Sequence, residues 1–193
     1  MSKWVIDKQF SFCYGHRVWS QKLEREFCEY GDYACKCRHL HGHEGLVHVF
    51  LEGENLERGM VTDFKHLGWL KNFLDKNVDH RFIIDSNDPM FPIMVTDLYK
   101  QVTGLDTVKI NMIFVPGTQH VAGGELDLSM VEDKETPEYE TLEGYFIVNF
   151  VPTSENLSKW VEEVAQAKMS LLKMNVSQMD WDETPKSRSS YRG

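Results

Sequence analysis

Two thiols and three imidazoles fall within the nine residues Cys35-Lys36-Cys37-Arg38-His39-Leu40-His41-Gly42-His43. No other stretch of the chain concentrates metal-ligating and proton-transferring groups in this way. If the chain is extended here, His41 and His43 point to one face, because side chains alternate along a strand. Gly42 removes bulk from the opposite face. His16 closes a period-two series, Phe10, Phe12, Tyr14, His16, on the face that its aromatic members define. Alone, such a histidine would ordinarily sit at a core edge, bonded to a carbonyl. Beside His41 and His43 it makes a candidate three-imidazole Zn2+ site with a fourth position open, the arrangement of a catalytic zinc. An open Zn2+ polarises a substrate oxygen or acidifies a bound hydroxyl.

Cys37 stands four residues before His41. Near a cation, Arg38 and imidazoles, its pKa is expected below the usual thiol range, which suits a general acid or base. Asp79-His80 offers a second proton-transfer pair, the carboxylate orienting the imidazole. By itself that dipeptide would read as a polar turn closing a helix, where histidine suits the negative end of the dipole. A rival metal reading assigns Cys28, Cys35, Cys37 and His39 to a structural zinc, but C-x-C is tighter than the usual spacing of such ligands. His39 as a fourth ligand would close the site against substrate.

The elements that must position these groups are partly legible. Residues 3–16 read as a strand, 17–36 as a long polar loop and 39–52 as a second strand. Asp63 is placed to cap a helix whose apolar residues Phe64, Leu67, Leu70, Phe73 and Leu74 recur at helical spacing through about residue 77. Residues 85–92 are turn-rich. Between 93 and 151, Val108–Val115 and Tyr145–Val151 have strand character, and the acidic run 132–143 reads as a solvated loop. Thr153 or Ser154 caps the clearest helix, with Glu155 at its positive end and Leu157, Trp160, Val161 and Val164 as its buried stripe. Leu171–Met179 alternates loosely as a strand, and the polar tail from Asp182 reads as a frayed end.

Composition bounds the function. The 193 residues favour one domain, and 41% hydrophobic residues suffice for a core. A net charge of −9 argues against a nucleic-acid backbone as partner, since phosphate neutralisation needs clustered Lys and Arg. No apolar run is long enough to span a membrane. With a charged N-terminus and no export signal, the four cysteines are expected as reduced thiols in a cytoplasmic protein.

These motifs, in this order, resemble the 6-pyruvoyl-tetrahydropterin synthase and 6-carboxytetrahydropterin synthase family. Phe10-Ser-Phe-Cys-Tyr-Gly-His16 resembles its first ligand strand, and Cys37-x3-His41-Gly-His43 its core motif. Gly59-Met-Val-x-Asp63-Phe64 resembles the entry to its first helix, Val78-Asp-His80 its Leu-Asp-His, and Pro152-Thr-Ser-Glu-Asn-Leu-x2-Trp160 the start of its second helix. Glu183-Thr184 through Tyr191-Arg-Gly193 is similar to the end of its bacterial members.

The resemblance implies an α+β tunnelling T-fold: an antiparallel sheet with two helices on one face, closing into a barrel on oligomerisation. It implies a homo-oligomer, a hexamer built as a dimer of trimers, with active sites between subunits. It further implies that His16, His41 and His43 bind zinc and that Cys37 and the Asp79-His80 relay move protons. Glu183 would anchor the pterin ring, with Thr153, Ser154 and Glu155 supporting the pocket. Cys-x3-His-Gly-His looks like the bacterial enzymes of queuosine (7-deazaguanine) synthesis. Those convert 7,8-dihydroneopterin triphosphate to 6-carboxy-5,6,7,8-tetrahydropterin, acetaldehyde and triphosphate. Cys35-x5-His41 resembles the longer spacing of the pyruvoyl-forming enzymes instead, and a pterin-binding member without catalysis is a third possibility. Two departures stand out: a His16–Cys37 loop about ten residues longer than in compact members, and an insertion at about 85–151 in the single T-fold domain.

Overall fold

A computed structural model of the chain describes residues 3–27 and 35–193; Cys28 lies outside them. The first hairpin decides the architecture. Strand β1 (Trp4–His16) and strand β2 (His41–Gly53) run antiparallel in one unbroken register from Trp4↔Gly53 to His16↔His41. Both expected strands are present, and their period-two faces diverge in content. Phe10, Phe12 and Tyr14 on β1, with Val47, Val49 and Leu51 on β2, are buried. The alternate residues Gln9, Ser11 and Cys13 are exposed.

The buried face is covered by two helices. Asp63 accepts from the backbone N–H of Lys65 at 2.8 Å and opens a 3-10 turn, Phe64–Leu67, that leads into α1 (Gly68–Asn77). The covering is completed, much later in the chain, by α4 (Ser154–Met169). Thr153 caps it by accepting from Asn156 N–H, and Leu157, Trp160, Val161 and Val164 form the expected buried stripe. Strand β7 (Asn175–Thr184) then pairs antiparallel with β2 and turns into β8 (Ser187–Tyr191). Trp181 and Met179 of β7 join the same core and are fully buried. Each such side chain removed from water contributes about 1.5–3 kcal/mol.

Residues 81–148 add a second half. Strand β3 (Arg81–Asp85) pairs parallel to β1 at only two positions, Tyr14↔Arg81 and Gly15↔Phe82. A π-helical turn, Pro92–Thr96, runs into α2 (Asp97–Thr103), followed by β4 (Ile110–Phe114), β5 (Val121–Leu126), α3 (Pro137–Glu143) and β6 (Tyr145–Val148). Among the described residues the sheet has the order β4-β5-β6-β3-β1-β2-β7-β8. In this half α2 and α3 cover the face opposite to α1 and α4. Ile84, Tyr145 and Ile147 pack with Val95, Tyr99 and Leu142, while Ile83, Phe146 and Val148 turn to the first core.

Several expectations are corrected. The sheet is mixed, not antiparallel throughout, because β3 runs parallel to both β1 and β6; the antiparallel arrangement with two helices on one face holds for β1-β2-β7-β8. The acidic run 132–143 is not all loop. Thr136 caps α3 and Pro137 opens it, and Tyr139 and Leu142, three apart, anchor it. Helix α2 and strand β5 were not legible. The polar tail is ordered as the β7–β8 hairpin, and β7 begins only after a 3-10 turn at Ser170–Leu172. The loop before β2 carries short 3-10 turns at Arg25–Phe27 and Lys36–Arg38.

Candidate active site

The hairpin register sets His16 directly opposite His41 and Tyr14 opposite His43, all on the helix-covered face. The three rings stand 4.5, 4.9 and 5.1 Å apart between centroids. Two glycines make room. A side chain at Gly42 would meet the Tyr14 carbonyl at 3.0 Å, and one at Gly45 the Phe12 and Tyr14 rings at 2.7 and 2.9 Å.

Two of the rings are oriented by carbonyls. The His16 Nδ1 pairs with Pro152 O at 2.7 Å, just before α4, and the His41 Nδ1 pairs with His39 O at 2.8 Å. A carbonyl only accepts, so Nδ1 carries the proton and a neutral ring presents the lone pair of Nε2. The Nε2 atoms of His16, His41 and His43 are all buried without a hydrogen-bond partner. Their ligand atoms lie within 4.8 Å of one another. Burial, reinforced by the other two imidazoles, lowers the pKa of His43 although Glu183 opposes this. Three converging nitrogens fit a metal cation, and the residues expected as ligands are the ones brought together.

Glu183, on β7, joins them, with Oε1 3.3 Å from His16 Nε2 and 3.6 Å from His43 Nε2. The His16 imidazole beside it holds its carboxyl below the usual range. Cys37 lies in the 3-10 turn Lys36–Arg38, tied to the end of β1 by the Val18 N–H donating to its carbonyl at 2.8 Å. Burial, then the neighbouring Cys35 thiol, push its thiol up to about 11. Arg38 does not help it, because the guanidinium is turned to the carbonyl of Gln21. Thr153 is used as a cap, and the Ser154 hydroxyl bonds that of Ser189 at 2.7 Å, joining α4 to β8, while Glu155 is exposed.

Asp79 and His80 are placed elsewhere. Asp79 accepts from the backbone N–H of Cys13 at 2.8 Å, which holds its carboxyl below the usual range, and it stands 3.1 Å from His80 Nδ1. His80 donates its own N–H to Cys13 O, has φ +57°, and leaves 81% of its side chain exposed. The Cys13 side chain is exposed on the face of β1 opposite to His16. A cavity of about 670 Å3 opens beside the dyad, lined by Cys13, Gly15, Glu44, Arg81, Phe82 and Tyr145 among others.

Residues 5–193 match the sequence model of 6-pyruvoyl tetrahydropterin synthase. The chain belongs to this family. Within 99 residues, 47% of this chain, it is 42% identical to the 6-carboxy-5,6,7,8-tetrahydropterin synthase of Aquifex aeolicus, and the match spans 58% of that protein. A crystal structure of an uncharacterized protein from Wolinella succinogenes superimposes with a TM-score of 0.85 at 39% identity, covering 100% of this chain and 99% of that one. The 6-pyruvoyl tetrahydropterin synthase of Caenorhabditis elegans aligns with a TM-score of 0.53 at 22% identity over 100% of this chain and 97% of that one, a likeness of fold.

Two residues of this family site escaped sequence reasoning. Tyr14 floors the centre, its hydroxyl accepting from Trp181 Nε1 at 3.0 Å, and burial raises its pKa. Pro152 contributes through its carbonyl, which no side-chain pattern signals. For Tyr14 the signal was its place between Phe12 and His16.

Proposed function

We propose that the chain is a zinc-dependent lyase that converts 7,8-dihydroneopterin triphosphate to 6-carboxy-5,6,7,8-tetrahydropterin, acetaldehyde and triphosphate, serving queuosine (7-deazaguanine) synthesis in the cytoplasm. The observation that carries this is the convergence of three unpartnered imidazole nitrogens beside a carboxylate and a thiol, in a chain of the pterin synthase family. His16, His41 and His43 would hold Zn2+ through nitrogen, which suits that ion. The ion, when bound, supplies a Lewis acid for the side-chain hydroxyls of the substrate.

The chain's own residues do the rest. Glu183 accepts hydrogen bonds from the ring N–H and exocyclic amine of the pterin, a charge-assisted pair of contacts. Cys37 keeps its proton until a nearby cation or base favours the thiolate, so it is suited to exchange one proton per turnover at the substrate side chain. Thr153, Ser154 and Glu155 support the wall at the start of α4. Asp79 orients His80 for proton transfer, but on the far side of β1. We therefore infer that the dyad completes the site of a neighbouring copy. The free edge of β1 beyond its two-residue pairing with β3 supports assembly by strand pairing, into the hexamer of two trimers that the family implies. Residues 85–151 then act as an insertion on a single T-fold domain. Free Cys13, Cys35 and Cys37 fit a reducing compartment.

The adjacent Cys35 thiol favours a second reading, 6-pyruvoyltetrahydropterin synthesis with Cys35 as the working thiol. Product analysis with dihydroneopterin triphosphate decides. Acetaldehyde with the 6-carboxy product is expected; a pyruvoyl product without acetaldehyde sinks the first reading.

A further inference from the structure

Glu183 has neighbours that binding a pterin ring does not require. Its Oε1 stands 3.3 and 3.6 Å from two imidazole nitrogens, His16 Nε2 and His43 Nε2. Neither contact has hydrogen-bond geometry, since both nitrogens are without a hydrogen-bond partner. For His16 the reason is chemical. Its Nδ1 donates to Pro152 O, so a ring in its neutral form turns a lone pair, not an N–H, into the centre. A carboxylate oxygen beside such a lone pair is repelled unless a positive charge is shared between them.

The separations suit a shared charge. In a tetrahedral centre with nitrogen and oxygen ligands at about 2.0–2.2 Å, neighbouring ligand atoms stand about 3.3–3.6 Å apart. The backbone also aims this residue. In the β7–β8 ladder Asp182 pairs with Arg188 and Thr184 with Ser187, so Glu183 falls at the register shift between them. A bulge of this kind re-aims a side chain and recurs next to active sites. Glu183 is also one residue from the end of β7, where a small rotation disturbs little else.

We propose that Glu183 is the exchangeable fourth ligand of the three-histidine centre: its carboxylate closes the resting site and leaves it for the ring edge of the incoming pterin. This rests on the metal and pterin reading above. It makes ring docking and opening of the fourth position a single event. The resting centre is shielded from stray anions, and only a molecule with the right donor edge draws the carboxylate away.

The test loads the full-length protein with Co2+ alone and records its visible absorption, for wild type, Glu183→Gln and His16→Ala. Azide is then titrated in, and separately 7,8-dihydroneopterin. Glu183→Gln is expected to shift the Co2+ bands and to weaken Co2+ binding about tenfold or more, since even losses outside the ligand shell cost about 10–100-fold. Azide should perturb the variant at concentrations that leave wild type unchanged, and dihydroneopterin should shift the wild-type Co2+ bands as its side-chain hydroxyls take the position the carboxylate leaves. Wild type that takes up azide as readily as the variant, with coinciding Co2+ spectra, overturns the proposal. The wild-type titrations decide by themselves if the variant misfolds. A His16→Ala protein that still binds Co2+ like wild type overturns the three-histidine reading itself, a separate failure.

Discussion

Two clusters of proton-active side chains hang from the same strand, three residues apart, and differ in almost every respect. His16 is fully buried, its Nδ1 bound by a carbonyl and its Nε2 aimed at two other imidazoles. His80 is held by the backbone of Cys13 and projects from the opposite side with 81% of its side chain exposed. The first cluster converges three ligand atoms that could hold a cation. The second is a carboxylate–imidazole pair tied to the backbone of Cys13. Because positions 13 and 16 lie on opposite faces of β1, the side chains of Cys13 and His16 leave the strand on opposite sides. The comparison therefore predicts division of labour between copies.

The largest effect comes from separating the two clusters on different chains. His80→Ala and Cys37→Ala are each expected to lower turnover of dihydroneopterin triphosphate by about 10²–10⁴-fold, the scale of a lost general acid or base. His80→Ala should still bind metal like wild type. After subunit exchange, verified by native mass spectrometry, a mixture of the two variants should turn over far faster than either alone. Of the two kinds of mixed site, one then joins an intact thiol to an intact dyad and the other lacks both. Exchange without recovery would show that the dyad serves its own chain.

A smaller effect sharpens the contrast between a buried and an exposed group. Burial and Cys35 push the Cys37 thiol up to about 11, so the metal-free protein keeps it protonated at neutral pH. Alkylation of Cys37 by iodoacetamide, followed by peptide mass spectrometry, should accelerate about tenfold per pH unit from roughly pH 7 to 10 without a plateau, because the thiolate is the nucleophile. Metal loading should move that curve to lower pH, since a nearby cation favours the thiolate. Cys35→Ser should move it the same way by removing the second cause. A plateau near pH 8 in metal-free protein would contradict the buried placement of the thiol.

The same asymmetry governs what the sequence could disclose. His16, His41 and His43 were legible because period-two alternation fixes a face and the hairpin needs no other element to bring them together. The caps Asp63 and Thr153 were legible because they act within three residues. Helix α2 and strand β5 were not. Asp97–Thr103 carries one fully buried residue, Tyr99, and Val121–Leu126 holds two central glycines whose absent side chains admit Phe146 and Ile110. Their place depends on partners distant in sequence. The tail misled for a related reason. Its polar residues bond across the β7–β8 pair, and composition reports polarity without pairing. Likewise Arg38 is adjacent to Cys37 in sequence, yet its guanidinium is spent on the carbonyl of Gln21.

The smallest effect belongs to a third cluster, on the side of β2 and β7 turned away from the histidine centre. Arg188 grips Asp182 with Nε at 2.5 Å and Nη2 at 2.8 Å, and reaches His48 at 3.3 Å and the buried Asp180 at 3.4 Å. Half of the arginine side chain is exposed, so water screens much of the attraction. Arg188→Ala is expected to cost about 1 kcal/mol at neutral pH, the upper range for an exposed pair. Arg188 holds the Asp182 carboxyl below the usual range. A carboxyl depressed by folding contributes stability above its unfolded pKa and loses it as pH falls through its folded one. The gap between wild type and Arg188→Ala in urea unfolding should therefore be full at pH 7 and close below about pH 4. A gap that did not narrow at all as pH fell below about 4 would assign the arginine's contribution to packing of its stem across β7 and β8. The face would then carry no charge network set apart from the dyad.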